Sequence, residues 1–136
     1  MTRICLDSNV LGAAFVARGL CADLLRLVLS EHELVVPELI AQEVRRVLTE
    51  KLKAGPEALD AVEAVLERCN IVPRGDAPSP VAVRDSDDER VLADALSAGA
   101  EILVSGDQDL LAVAEQSPIR ILSPRAFLTL VRGGQP

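Results

Sequence analysis

The sequence predicts an α/β domain in three layers, with helices on both faces of a central parallel sheet of about five strands. Short apolar runs alternate along the chain with longer stretches of helical periodicity, the pattern of a parallel sheet covered on both sides. The 136 residues are 49% hydrophobic, enough for one ordinary core and too few for two. There is no internal repeat and no low-complexity segment, and only one long irregular connection.

The first strand is expected at 3–6 and ends in Asp7-Ser8-Asn9. A helix over 21–29 follows, with Leu24, Leu25 and Val28 at inward spacing. A second strand at 33–36 leads through Pro37 into a helix reaching about residue 52, with Leu39, Ile40, Val44, Val47, Leu48 and Leu52 as its apolar stripe. Gly55 breaks that helix. Pro56, a favoured first-turn residue, starts the next, which carries Leu59, Val62, Val65 and Leu66 inward. After a third strand at 70–72, three prolines and a glycine over 73–80 mark the irregular connection.

A further helix opens at Ser86-Asp87-Asp88-Glu89, a capping-box pattern, carries Val91, Leu92, Ala95 and Leu96, and stops at Gly99. The strand at 101–104 ends in Ser105-Gly106-Asp107-Gln108-Asp109. The last strand, at 120–122, precedes a helix that Ser123-Pro124 caps and starts and that Gly133-Gly134 ends.

Composition removes several kinds of chemistry. Phe15 and Phe127 are the only aromatic residues, so no stacking platform for bases is available. His32 is the only histidine, which argues against a Ser-His-Asp triad and, with Cys5, Cys21 and Cys69 widely spaced, against a zinc site. The three cysteines read as buried thiols in a reducing cytosol. Fourteen Lys plus Arg against 21 Asp plus Glu give a formal charge of −7, so a polyanionic ligand needs a bound cation or a few clustered arginines. The start lacks the apolar h-region of a signal peptide, and no stretch approaches the ~18 to 20 apolar residues that cross a membrane. A soluble cytoplasmic protein is the expectation.

In an open parallel sheet, ligands gather at the carboxyl ends of the strands, where strand order reverses. The first and fourth strands deliver Asp7 and Asp107 to that edge. Taken singly, Asp107 serves equally as a helix N-cap and Asp7 as a turn residue. Glu43 lies at the edge of its helix's apolar stripe, so it is either partly buried, needing a cation or a donor, or it reaches out to water like Glu50. Asp87 and Asp88 suit the positive end of a helix without any further role. The run from Asp85 to Glu89 nevertheless holds more carboxylates than a cap requires, and a hard divalent cation, Mg²⁺ or Mn²⁺, relieves their repulsion best.

These segments, in this order, resemble the PIN-domain family, and within it the toxin components of bacterial toxin-antitoxin systems. The likeness spans nearly the whole chain: Asp7-Ser8-Asn9, VVPELIAQEVRRVL, VRDSDDERVLADAL, ILVSGDQDLL and ILSPRAFL. It implies a PIN-like nuclease domain over 1–132 with strand order 3-2-1-4-5, followed by a flexible tail at 133–136. Four acids then surround the metal and are the catalytic set: Asp7, Glu43, Asp88 and Asp107. Asp88 is chosen over Asp87 because the family's acid lies three residues before the first apolar residue of its helix, here Val91. Asn9 and Ser105 match orienting polar positions, Asp109 a frequent secondary acid, and Asp85 a common position of unassigned role. Arg18 and Arg84 are the candidate phosphate contacts.

The implied activity is a divalent-metal-dependent endoribonuclease, a phosphodiester hydrolase using Mg²⁺ or Mn²⁺. Implied partners are an RNA substrate, a cognate antitoxin whose C-terminal segment covers the acidic cleft, and a second copy in a homodimer. A haloacid-dehalogenase phosphatase fits less well, because Asn9 stands where its second Asp is needed, and a receiver domain lacks its late lysine. The remaining alternative is a catalytically silent PIN-like module that binds RNA or protein.

Overall fold

The computed structural model describes residues 2–133. Among them, five strands form one parallel sheet in the order β3-β2-β1-β4-β5: β1 (Arg3–Leu6), β2 (Glu33–Pro37), β3 (Asn70–Val72), β4 (Ile102–Val104) and β5 (Arg120–Leu122). The expected strand order and three-layer architecture are therefore present. The central strand explains why. Ile4, Cys5 and Leu6 are all buried, so β1 presents no solvent face and pairs on both sides, Cys5 standing opposite Val35 and Leu103.

The helices are α1 (Ser8–Val16), α2 (Leu20–Glu31), α3 (Glu38–Arg46), α4 (Pro56–Arg68), α5 (Ser86–Ser97), α6 (Gln108–Leu111) and α7 (Pro124–Gly133). Strand edges match the expected ones to within a residue. The helix expected to run unbroken to about 52 changes at Val47 into a π-helical turn, Val47–Lys51. Sequence reading missed α1 and α6 altogether. A helix α1 pressed close to α3 depends on Gly12: a Cβ there would lie 3.2 Å from Val47 Cγ1 and 3.7 Å from Val44 Cγ2.

Gly99 supplies the other necessary backbone freedom. At φ 81 it ends α5, with its own N–H on Leu96 O (3.0 Å) and Ala100 N–H on Ala95 O (2.9 Å), and so turns the chain into β4. The connection after β3 is pinned to α5 from inside. Asp94 is 1% exposed, and its Oδ1 accepts from Arg90 Nε (3.0 Å) and Gly75 N (3.2 Å), while Arg90 Nη2 donates to Ala77 O (2.7 Å). Of the cysteines, Cys5 is buried as expected, but Cys21 and Cys69 are only half-buried, because each lies on an outer helix end rather than in the sheet. Gly133 closes α7; the rest of the tail expected at 133–136 lies outside the described residues.

Candidate active site

Strand order reverses beside β1, so the crevice opens where β1 and β4 end together. The ladders continue one step beyond the strands: Asp7 N–H donates to Val104 O and Ser105 N–H to Leu122 O, both at 2.9 Å. This fixes Asp7 beside Ser105. The Ser105 hydroxyl, fully buried, donates to Asp7 Oδ2 at 2.7 Å and accepts from Asp107 N–H at 3.0 Å. Asp7 Oδ1 takes the Ser8 N–H at 2.9 Å and caps α1. Asp107 caps α6 through Asp109 N–H at 2.8 Å.

Both aspartates are thus N-caps, the ordinary role expected of Asp107, whereas Asp7 was expected to order a turn. They also line one cleft of about 210 Å³ together with Glu43 from α3 and Asp85, Asp87 and Asp88 at the start of α5. Ser8, Asn9, Arg46, Val47 and Lys51 complete the lining. At ~30 Å³ per water, this is room for about seven waters, or for a hydrated ion with one phosphate group. The four acids expected to meet do line the same cavity.

Electrostatics shows what their proximity costs. Burial, then the carboxylates of Asp107, Asp7 and Asp85, push Asp88 up to about 7, and a hydrogen bond with Asp107 adds to the rise. Asp7 is raised above its ordinary value by burial, with Asp107 adding to the effect and the Ser105 and Ser8 hydrogen bonds and the Lys51 charge opposing it. Glu43 is raised by burial and by Asp7 and Asp87, against Arg46. With its side chain 20% exposed, Glu43 is the partly buried carboxylate that its place on the stripe suggests. Without a cation, this group of acids holds protons more tightly than water-exposed carboxylates do.

The secondary residues divide. Asn9 lines the cleft, and Ser105 is the hydrogen-bonded bridge beneath it. Asp85 proves to be the N-cap of α5, where Ser86 had been expected: its Oδ1 accepts from Asp87 N (2.9 Å) and Asp88 N (3.0 Å). Aspartate and serine cap equally well, so sequence does not choose between them. Asp109 joins Asp85 and Asp88 in a second grouping, with one carboxylate oxygen from each within 4.8 Å of the others. Asp85 and Asp88 belong to both groupings.

Arg18 and Arg84 are exposed and do not line the cleft. The positive charge comes instead from Arg46 and Lys51, which sequence reading missed. Arg46 was legible as the i+3 neighbour of Glu43 on one helix face, whereas Lys51 depends on the π turn.

Comparison with known proteins identifies the family and the fold. Residues 3–109 match the PIN domain family. No curated protein matches the chain. Among solved structures, VapBC2 from Rickettsia felis, bound to a DNA fragment from their promoter, is similar in fold at a TM-score of 0.61 and 13% identity, covering 90% of this chain and 98% of that one. PAE2754 from Pyrobaculum aerophilum is similar at a TM-score of 0.52 and 19% identity, covering 98% and 97%. With the family match spanning most of the chain and the strand order in place, the chain belongs to the PIN domain family.

Proposed function

We propose that the protein is a divalent-metal-dependent endoribonuclease that hydrolyses RNA phosphodiester bonds, the toxin of a toxin-antitoxin pair. The observation that carries this reading is the convergence of carboxylates from four separated parts of the chain on one small cleft at the sheet's switch point. Its donor set is entirely oxygen, with no thiol or imidazole among the lining residues, which suits Mg²⁺ or Mn²⁺. The raised acids fit such an ion, because a cation replaces the protons that their mutual repulsion retains.

In this reading Asp7, Glu43, Asp88 and Asp107 hold the metal, with Asp85 and Asp109 beside Asp88 as further oxygen donors. When bound, the metal supplies Lewis-acid activation of water and stabilises the leaving oxygen of the phosphodiester. Ser105 positions Asp7 and the Asp107 backbone together, and Asn9 offers an amide at the rim. The serine hydroxyl that is bonded to a carboxylate, that of Ser105, is fully buried beneath the cleft, so in this reading water is the attacking group.

The likeness to VapBC2 supports a protein partner, a cognate antitoxin covering the cleft, and a homodimer belongs to the same reading. No helix among the described residues is long and apolar enough to cross a membrane, in keeping with the cytoplasmic site proposed. The test is cleavage of mixed RNAs with Mg²⁺ or Mn²⁺, comparing the parent with Asp7→Asn and Asp107→Asn. Activity in the parent alone is expected. Equal activity in all three would identify a contaminating nuclease, and none in any would favour the silent binding module.

A further inference from the structure

An acidic cleft that receives RNA faces a second difficulty after the metal: the backbone phosphate still has to be held among six carboxylates. Among the described residues lining the cleft, only Arg46 and Lys51 are cationic, and both come from α3 and the turn that continues it. That turn is what brings Lys51 round. In an unbroken α-helix, at ~100° per residue, Lys51 would stand about 80° around the axis from Glu43. The Leu52 N–H on Val47 O, at 2.9 Å, closes an i→i+5 turn instead. Such a turn holds about one residue more than an α turn, so each step advances only about 80°. The four steps from Val47 to Lys51 then return the lysine to roughly the azimuth of Glu43.

The backbone departs from the ordinary a second time directly afterwards. Lys53 has φ 50, a left-handed conformation that lysine rarely adopts. π turns and such outliers gather at functional sites. Nor do the two cations have structural duties that explain them. Arg46 meets Glu43 only at 3.6 Å, with its side chain 64% exposed. Its neighbour Arg45 shows the contrast, giving Glu63 two hydrogen bonds at 2.6 and 2.9 Å. Lys51 is exposed and lines the same cleft as Asp7.

We infer that Arg46 and Lys51 are the residues that contact the RNA backbone phosphate in this cleft. Arg46 offers a planar fork to the non-bridging oxygens and Lys51 a point charge. The inference rests on the nuclease reading above and assigns to this pair the role first expected of Arg18 and Arg84.

The experiment is equilibrium binding of a single-stranded RNA across a salt series, with Ca²⁺ replacing Mg²⁺ to suppress cutting. The proteins are the parent, Arg46→Ala, Lys51→Ala, Lys51→Arg and Arg84→Ala. Each phosphate contact contributes about 0.7 to the slope of log K against log salt for a single strand. The slope is expected to shallow by about that much in Arg46→Ala and again in Lys51→Ala, to recover in Lys51→Arg, and to stay at the parent value in Arg84→Ala. Mn²⁺ binding by calorimetry is retained or tightened in Lys51→Ala, since removing a cation does not weaken the pull of the carboxylates. Parent slopes in both alanine variants, in a protein that binds and cuts RNA, would overturn the inference and leave the nuclease reading standing. A parent that neither binds nor cuts RNA would overturn both.

Discussion

Replacing Asp7 with asparagine separates a structural from a metal-binding role, because the two predict opposite changes in stability. Asn caps a helix as well as Asp does, and its oxygen can keep the Ser8 N–H. Its amide can donate to Ser105 Oγ, which already accepts from Asp107 N–H. The substitution therefore keeps the cap and the contact with Ser105, but it strands the Ser105 hydroxyl hydrogen, which loses its acceptor, while it removes a carboxylate that is 4% exposed and repelled by Asp107. In EDTA, Asp7→Asn is expected to unfold at the same temperature as the parent or slightly higher, because the relief of the buried carboxylate, roughly 1–3 kcal/mol, is partly offset by the stranded Ser105 hydroxyl. Mn²⁺ reverses the order. At about 100 times its dissociation constant a ligand stabilises by about 2.7 kcal/mol, which for a domain of this size is on the order of 10 °C. That shift is expected in the parent and absent in Asp7→Asn. Differential scanning fluorimetry with and without Mn²⁺ reads both effects. A variant less stable in EDTA, beside a parent that Mn²⁺ leaves unchanged, would make Asp7 a structural turn residue and refute the reasoning.

Other perturbations have defined outcomes. In the metal-free protein Asp88 titrates near 7 instead of 3.8, so the fold binds that proton more tightly than the unfolded chain, and its contribution to stability falls as pH rises from about 4 to about 7. Asp7 and Glu43 act in the same direction. Thermal unfolding in EDTA should thus occur at higher temperature near pH 5.5 than near pH 7.5, and Asp88→Asn should flatten the dependence; a parent that gains stability with pH over this window would contradict it. Ser105→Ala leaves Asp7 Oδ2 and Asp107 N–H without their shared partner, so a loss of about 1–3 kcal/mol in denaturant unfolding and reduced cleavage are expected, both recovered by Ser105→Thr. Arg90→Met strands the buried Asp94 carboxylate and should cost about 3–5 kcal/mol. Arg45→Ala breaks an exposed pair with Glu63 and should cost less than about 1 kcal/mol without altering cleavage.

What the sequence disclosed follows from which signals are local. β1 was legible because its buried residues are consecutive, Asp7 because it directly follows that strand, and Asp107 because it stands three residues beyond the end of β4. Glu43 was legible as a carboxylate at the edge of an apolar stripe. Helix α1 was not: Ser8–Val16 is apolar on nearly all sides, packed against α2, α3 and α4, so no polar face marks its period. Helix α6 has only four residues, too few for any period to show. The π turn that carries Lys51 fits neither helix nor strand template, and the phosphate contacts were expected of Arg18 and Arg84, which do not line the cleft. Convergence itself is a long-range property. Asp7 and Ser105 meet only because β1 and β4 pair in register, Leu6 against Val104.

The chemical ends of the cut RNA test the central claim most directly. Hydrolysis by water in a carboxylate-held metal site leaves a phosphate monoester on one fragment and a free hydroxyl on the other, without using the neighbouring 2′-hydroxyl. Mass spectrometry of products formed with Mn²⁺ is expected to show those ends alone, and none from Asp7→Asn. Fragments ending in 2′,3′-cyclic phosphate, or the same products from Asp7→Asn, would contradict it.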